Sequence, residues 1–390
     1  MSEDREDVIK VLKAAIGEHY VLTDDHSLEF YSMDVYRSFE IPIAIVQPGN
    51  IGELQETVRI ASGLGVSIVT RGGGASYTDA YLPTDPNSII IDTSRLNKIV
   101  EINEEDMFVT VEAGVTWAEM AAALAEKNLR TPFWGPFSGL KATIGGSTSQ
   151  NSVSMGSGIY GGSAESILCY EVVLANGQMI KTGSSSMENS SQFFRNYGPD
   201  LTGIFSGDAG ALGVKAKITM RLIKLPSHTL TCSFGFKNYN SMSQGMAAVA
   251  REQSISSNWG LDPKLQRGQL GKVTFMDSIR AAFAVLKTAR NPLEAIIQLI
   301  KMALAGKRFL TGFDYSAHFV AEGYSTAEVK SKLAQTRKVI SPFGTEIANT
   351  IPTVMGAMPF MPLHPILGPQ GERWVPMHGL LPFSKMQKMH

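Results

Sequence analysis

Short apolar runs alternate with amphipathic stretches up to Leu225, and the period of each run predicts an element. IAIVQPGN (Ile43 to Asn50) reads as a strand entering a Pro-Gly turn. Asn50 is placed to cap a helix, with Glu53 three residues on in the capping-box pattern. Leu54, Val58, Ala61 and Leu64 recur at helical spacing, Gly63 and Gly65 end the helix, and VSIVT (Val66 to Thr70) follows as a strand. A helix of that length suits a crossover between parallel strands. Ser88 to Gly114 holds three β-rich stretches, and Thr116 with Glu119 marks the next helix start. Thr131 to Gly162 is dense in Gly, Ser and Pro and reads as one long loop, a kind that tends to carry function. ILCYEVVLANGQMIKT (Ile167 to Thr182) predicts a hairpin with a type I′ turn at Asn176-Gly177. In VKAKITMRLI, Val214, Ala216, Ile218, Met220 and Leu222 alternate onto one strand face.

Leu225-Pro226 marks a change of texture. Beyond it come a strand at CSFGF, a helical stretch over Asn291 to Phe309 read as a buried cap helix, and a strand at LTGFDYSAHFVAEGY. Ser325 with Glu328 opens a helix running to about Ile340. Ala348 to His390 is rich in Pro, Met and aromatics and shows little periodicity. The division expected is a helical lead-in over 1–40, a first domain over 41–226 and a second over 227–390.

Composition narrows the class. The chain has 390 residues, enough for more than one domain, and 35 basic against 36 acidic residues give a net charge of −1. No basic stripe points to nucleic acid. Cys169 and Cys232 provide neither a disulfide framework nor metal-ligand spacing and read as core thiols, and no metal is expected. The N-terminus is too charged for a secretory signal, and no apolar run approaches the roughly 18 residues that span a bilayer. A reducing cytoplasm is the simplest setting.

The chemistry centres on TRGGGASYT, Thr70 to Thr78, directly after a predicted strand. Three consecutive glycines let backbone N–H groups converge on one point, which suits a phosphate or pyrophosphate. The loop lacks a P-loop lysine and the Rossmann glycine spacing.

Five segments then occur in one order: VQPGN, TRGGGASYT, TIGGSTSQN (Thr143 to Asn151), the YGG…CYEVVLANGQMIKTG hairpin, and LTGIFSGDAGALGVKAKITMRLI. Together they resemble the FAD-binding domain of the vanillyl-alcohol oxidase / p-cresol methylhydroxylase family, over roughly Pro42 to Pro226. The resemblance implies an α+β protein: a two-lobed FAD domain, then a cap domain of antiparallel sheet with helices. It implies that Pro48 and the loop Arg71, Gly72, Gly73, Gly74, Ala75 and Ser76 wrap the FAD pyrophosphate. Thr143, Gly145, Gly146, Ser149 and Asn151 would form a second wall. Gly156, Tyr160 and Gly161 would lie near the isoalloxazine or diphosphate, and Ile218 near one end of the cofactor.

Departures from the family pattern refine this. The histidine that links FAD covalently in several relatives is replaced by Ala75, so FAD is expected without a covalent bond to this loop. The cysteine of bicovalent relatives has no counterpart near Trp134 to Gly146. Gly162 stands where vanillyl-alcohol-type oxidases carry a catalytic Asp, and no HxGDGN-like metal stretch is present. GERWVPMHGLLPFS (Gly371 to Ser384) resembles the start of a cap strand, so the cap is expected to be incomplete at residue 390, with a partner subunit or an oligomer as consequences. His318 and His378 are the candidate catalytic bases, and Arg373 the candidate anchor for a carboxylate or phenolate; Tyr315 is a further option. The expected activity is FAD-dependent oxidation of a small alcohol, phenolic or a 2-hydroxy acid, by hydride transfer to the flavin. The electron acceptor is open among oxygen, a cytochrome and a quinone. A D-lactate or glycolate dehydrogenase is the alternative enzyme, and an FAD-binding subunit without chemistry of its own is the alternative of another class.

Overall fold

Two structural units emerge from this pattern in the computed structural model, which describes residues 3–35, 37–264, 312–360 and 379–389. The first comprises Met1–Ser154 and Gly161–Leu225; the second takes Met155–Tyr160 and the described residues from Pro226 onward.

The first unit opens with α1 (Glu3–Ile16), β1 (Val21–Leu22) and α2 (Asp25–Tyr31). Then come β2 (Ala44–Val46), α3 (Ile51–Gly63), β3 (Ser67–Arg71) and β4 (Ser88–Asp92). These strands form a sheet in the order β1-β2-β4-β3, with β2 and β3 each parallel to β4. The crossover helix is present, but β4 separates the two strands it joins. Val8, Leu12 and Ile16 of α1 pack with Leu54, Val58 and Ala61 of α3 on one sheet face, while Leu28 of α2 packs with Ile45 and Ile90 on the other. Burial on both faces explains why SIIID reads as an unbroken apolar run. Residues 3–35 are therefore part of this lobe, because β1 pairs with β2 and α1 fills its core.

The second lobe follows with β5 (Ile99–Asn103), β6 (Phe108–Glu112), α4 (Trp117–Ala125), β7 (Leu129–Arg130) and α5 (Ile144–Ser149). After α6 (Ser157–Tyr160), which belongs to the other unit, come β8 (Ile167–Val173), β9 (Met179–Lys181), α7 (Leu201–Ile204), β10 (Val214–Arg221) and β11 (Ile223–Lys224). The five-stranded antiparallel sheet runs β5-β6-β10-β8-β9. Val173, Val214 and Ala216 join the core of the first lobe, so the two sheets share apolar contacts. The hairpin turn differs from type I′: Gly177 has φ +79° while Asn176 is not among the residues with positive φ, and the Gly177 N–H donates to the Leu174 carbonyl. That is a tight turn closed by a left-handed glycine, a geometry common in three-residue hairpin loops.

In the second unit, β12 (His228–Phe236), α8 (Tyr239–Arg251), β13 (Ser257–Leu261), β14 (Tyr315–Gly323), α9 (Thr326–Ile340), β15 (Thr345–Ile347) and α10 (Thr350–Ala357) are described. The sheet is antiparallel in the order β13-β14-β12-β15. Alternation decides its faces. Cys232, Phe234, Phe236, Ala317, Phe319 and Ala321 pack with Met242 and Val249 of α8 and Leu333 and Ile340 of α9. Ser233, Ser316 and His318 occupy the intervening positions. The expected helix over Asn291 to Phe309 lies outside the described residues.

Candidate cofactor site

Parallel strands β2, β3 and β4 end side by side at Val46, Arg71 and Asp92, and in open α/β sheets ligands gather at such carboxyl ends. Asp92 organises this edge. Its Oδ2 accepts from Tyr31 Oη at 2.8 Å, Gln47 Nε2 at 2.7 Å and Ser94 Oγ at 3.0 Å. Burial, with the Asp92 charge second, pushes the Tyr31 phenol up to about 12. Pro48 is buried in the turn just after Gln47.

The glycine loop leaves this edge immediately. Among the described residues, the backbone N–H groups of Gly73, Gly74, Ala75 and Ser76 donate to no acceptor of the chain. With Gly74 at φ +62° they form a run of unspent donors, the arrangement that holds an anion. The flanking glycines serve a second purpose. A Cβ on Gly72 would strike Thr143 Oγ1, and one on Gly73 would strike the Lys141 carbonyl oxygen. Close packing of this loop on residues 141–143 thus needs glycine as much as a ligand does.

The expected long loop is interrupted by α5, which Thr143 caps through its side chain and the Gly146 N–H at 3.2 Å. Gly145 donates to the Ala113 carbonyl at 2.9 Å, and a Cβ there would meet Ala113 at 2.8 Å. Both glycine N–H groups are therefore used within the fold, and Gly145 is a packing residue. Ser149 is half-buried, and its hydroxyl makes no hydrogen bond among the described residues. Asn151, at φ +44°, accepts from the Ala164 N–H through Oδ1. Its amide therefore pins residues 163–166, beside Gly161 at φ +77°.

Residues not singled out from the sequence complete the contacts. Ser76 Oγ lies 2.9 Å from Thr78 Oγ1, which donates to Gln150 Oε1 at 3.0 Å, tying the first loop to α5. The SGDAGALG loop rests on the same helix through Gly207 N–H to the Thr148 carbonyl and Ala209 N–H to the Ser149 carbonyl. Asp208 there pairs with Lys215 at 2.5 Å, both side chains 2% exposed. Burial pulls the Lys215 ammonium below its ordinary range, opposed by the Asp208 hydrogen bond. Lys215 alternates with Val214 and Ala216 along β10, and its charge is buried against Asp208 of the SGDAG loop. Ile218 is on central strand β10, paired with Val111 and Tyr170 and fully buried, so it packs beneath the site.

Other expected site residues have partners within the chain. The Arg71 guanidinium is engaged within the protein: Nη1 donates to the Tyr31 and Met33 carbonyls at 3.0 and 2.8 Å. The Gly156 N–H, expected near the cofactor, donates to Ser257 Oγ at 2.9 Å, and Tyr160 closes the short α6 onto Gly156, both within the second unit. His318 is corrected as a base. It is fully buried, with Ser233 Oγ 2.8 Å from Nδ1 and Ser316 Oγ 3.0 Å from Nε2, and burial pulls its pKa to about 3. A nitrogen held on both sides away from solvent has no route for exchanging a substrate proton. Tyr315 packs edge-on against Tyr239 at 6.1 Å. Arg373 and His378 lie outside the described residues. Cys169 and Cys232 are buried thiols, and burial pushes Cys232 up to about 12.

Residues 42–183 match the FAD binding domain family. Glycolate oxidase subunit GlcD of Bacillus subtilis is 30% identical over 226 residues, 58% of this chain and 46% of that protein. The mitochondrial D-lactate dehydrogenase (cytochrome) of Arabidopsis thaliana is 30% identical over 234 residues, 58% of this chain and 39% of its own. Among solved structures, p-cresol methylhydroxylase with substrate bound superposes with a TM-score of 0.72 at 20% identity, covering 96% of this chain and 71% of that one. The chain thus carries a FAD binding domain within a fold of the p-cresol methylhydroxylase type, and FAD is its cofactor. The matched stretch spans less than half the length of these curated relatives.

Proposed function

We propose that the protein is an FAD-dependent oxidoreductase acting on the CH–OH group of a small alcohol. The observation that carries this is the run of unspent N–H donors at Gly73–Ser76, at the carboxyl ends of the parallel strands of a FAD binding domain. Those donors and the Ser149 hydroxyl would hold the cofactor's anionic and polar parts. Bound FAD supplies a two-electron acceptor for the carbinol hydride. The chain must take up the hydroxyl proton, and with His318 sealed in the core, His378 is the candidate base, with Arg373 the candidate anchor for an anionic substrate. The names of the curated relatives favour a 2-hydroxy acid over a phenol. The first relative's description as a subunit supports a second reading, in which the chain binds FAD but turns over only with a partner. The electron acceptor would be oxygen, a cytochrome or a quinone. A cytoplasmic setting is kept as part of the proposal; among the described residues no helix is long and apolar enough to cross a membrane.

The test is anaerobic mixing of the FAD-loaded chain with glycolate, D-lactate and a 4-alkylphenol. Bleaching of the flavin colour by one of them is expected, with release of the flavin into the supernatant on acid precipitation because Ala75 offers no linking atom. A yellow protein that none of them bleaches favours the subunit reading. A protein that takes up no flavin removes both.

A further inference from the structure

Arg71 begins the cofactor loop, yet its charge is enclosed by the protein. The residue is 7% exposed. Its guanidinium lies 4.7 Å from the Tyr81 ring centroid and 5.2 Å from that of Tyr31. A Cβ on Gly74 would stand 2.5 Å from Nη2 and 2.9 Å from Cζ, so the loop folds directly over the guanidinium plane. Tyr81 acts at both ends of the loop: its ring covers Arg71, and its hydroxyl donates to the Ser76 carbonyl at 2.9 Å. The loop is thus laid on one side chain at Gly74 and closed at Ser76 by one phenol.

The same guanidinium reaches out of the loop. Nη1 bridges the carbonyls of Tyr31, the last residue of α2, and Met33 just beyond it. The segment they begin turns back through a bridge between Met33 and Ser38, with the Arg37 N–H donating to Asp34 Oδ1. Arg37 Nε then donates to Asp79 Oδ1 at 2.7 Å, beyond the other end of the loop. Tyr31, Met33 and Arg37 are therefore fastened to the cofactor loop at its start and just past its end.

We infer that Arg71 is a positioning residue for FAD: its guanidinium is the template that shapes the Gly73–Ser76 donors and couples them to Tyr31, Met33 and Arg37, and it does not meet the pyrophosphate charge. This rests on FAD binding at the loop. The planar fork matters, because two carbonyl acceptors and two flanking rings are served at once; a lysine keeps the charge and loses that geometry. Coupling is reciprocal, so FAD bound at the loop must also order the tethered segment.

The experiment compares the 390-residue chain with Arg71→Lys, Arg71→Ala and Asp79→Asn. FAD affinity is read by flavin fluorescence at several salt concentrations. Tryptic cleavage after Arg37, which is exposed, is followed by mass spectrometry with and without FAD. Arg71→Lys is expected to weaken FAD binding as severely as Arg71→Ala, by about tenfold or more, with the salt dependence of the wild type kept. FAD should slow cleavage after Arg37 in the wild type and not in either Arg71 variant. A residue that only stabilised the fold would speed cleavage equally with and without FAD. Asp79→Asn leaves the donors untouched and should speed FAD release by about threefold, and it decides the matter if the Arg71 variants do not fold. Arg71→Lys binding within twofold of the wild type overturns the proposal. So does an Arg37 cleavage rate in the wild type that FAD does not change, or an unchanged release rate in Asp79→Asn. Failure of the wild type to bind flavin would instead overturn the assignment of FAD to this loop.

Discussion

A Cβ placed on Gly73 would occupy the space of the Lys141 carbonyl oxygen, which is backbone and cannot swing aside. Gly73→Val is therefore expected to push the cofactor loop off residues 141–143 and to reduce FAD uptake at least about tenfold in a folded chain. At Gly72 the obstacle is the Thr143 hydroxyl, the end of a side chain that also caps α5. Gly72→Ala should be milder and act through that cap. Cys169→Ser is the control. The thiol is buried and touches no candidate ligand group, so the serine should cost on the order of 1–3 kcal/mol and leave FAD affinity unchanged. Flavin titration with denaturant unfolding separates the two effects; equal loss of FAD in folded Gly73→Val and Cys169→Ser would show that the site is misplaced.

Among the elements, helix starts were the most legible features, because a cap is a local bargain between one side chain and the next three N–H groups. Asn50, Thr116 and Ser325 each accept from the N–H three residues on. The reciprocal half is complete at Thr116, where Glu119 reaches back to the cap N–H at 2.9 Å. At Asn50, Glu53 reaches one residue further, to the Gly49 N–H. Thr116→Ala should destabilise the first unit by about 1 kcal/mol, seen as a lower denaturant midpoint with unchanged slope. A change below a few tenths of that would mean the cap is satisfied by water. Turn type was less legible. Asn-Gly signals a hairpin, but whether Asn176 turns left-handed depends on how β8 and β9 end, which the dipeptide does not contain.

For the molecule as a whole, acid stability follows from His318. Folded, its pKa is about 3 against the ordinary 6.5, and burial is the cause. Between those values the unfolded chain takes up a proton that the folded chain refuses. Stability must fall as pH drops from 6.5 toward 3, by about 1.4 kcal/mol per unit at most, a few kcal/mol in all. His318→Asn should lower stability near neutrality and flatten that limb of the curve; an acid limb as steep as the wild type's would show that His318 is not buried neutral. The sequence by itself determined the elements whose causes are local: the caps at Asn50, Thr116 and Ser325, the strands at CSFGF and LTGFDYSAHFVAEGY, and the glycine loop with its spacing to TIGGSTSQN. It also determined the absence of a linking histidine at Ala75. Only the tertiary structure decided where charged and titratable side chains point. The resemblance groups Arg71 with the pyrophosphate loop and the residue type offers His318 as a base, but a side chain's chemistry is written in its own position while its partners come from distant ones: Tyr31 and Met33 for the arginine, Ser233 for the histidine. Lys215 shows the same dependence on distant positions, since the partner that holds its buried charge, Asp208, comes from the SGDAG loop.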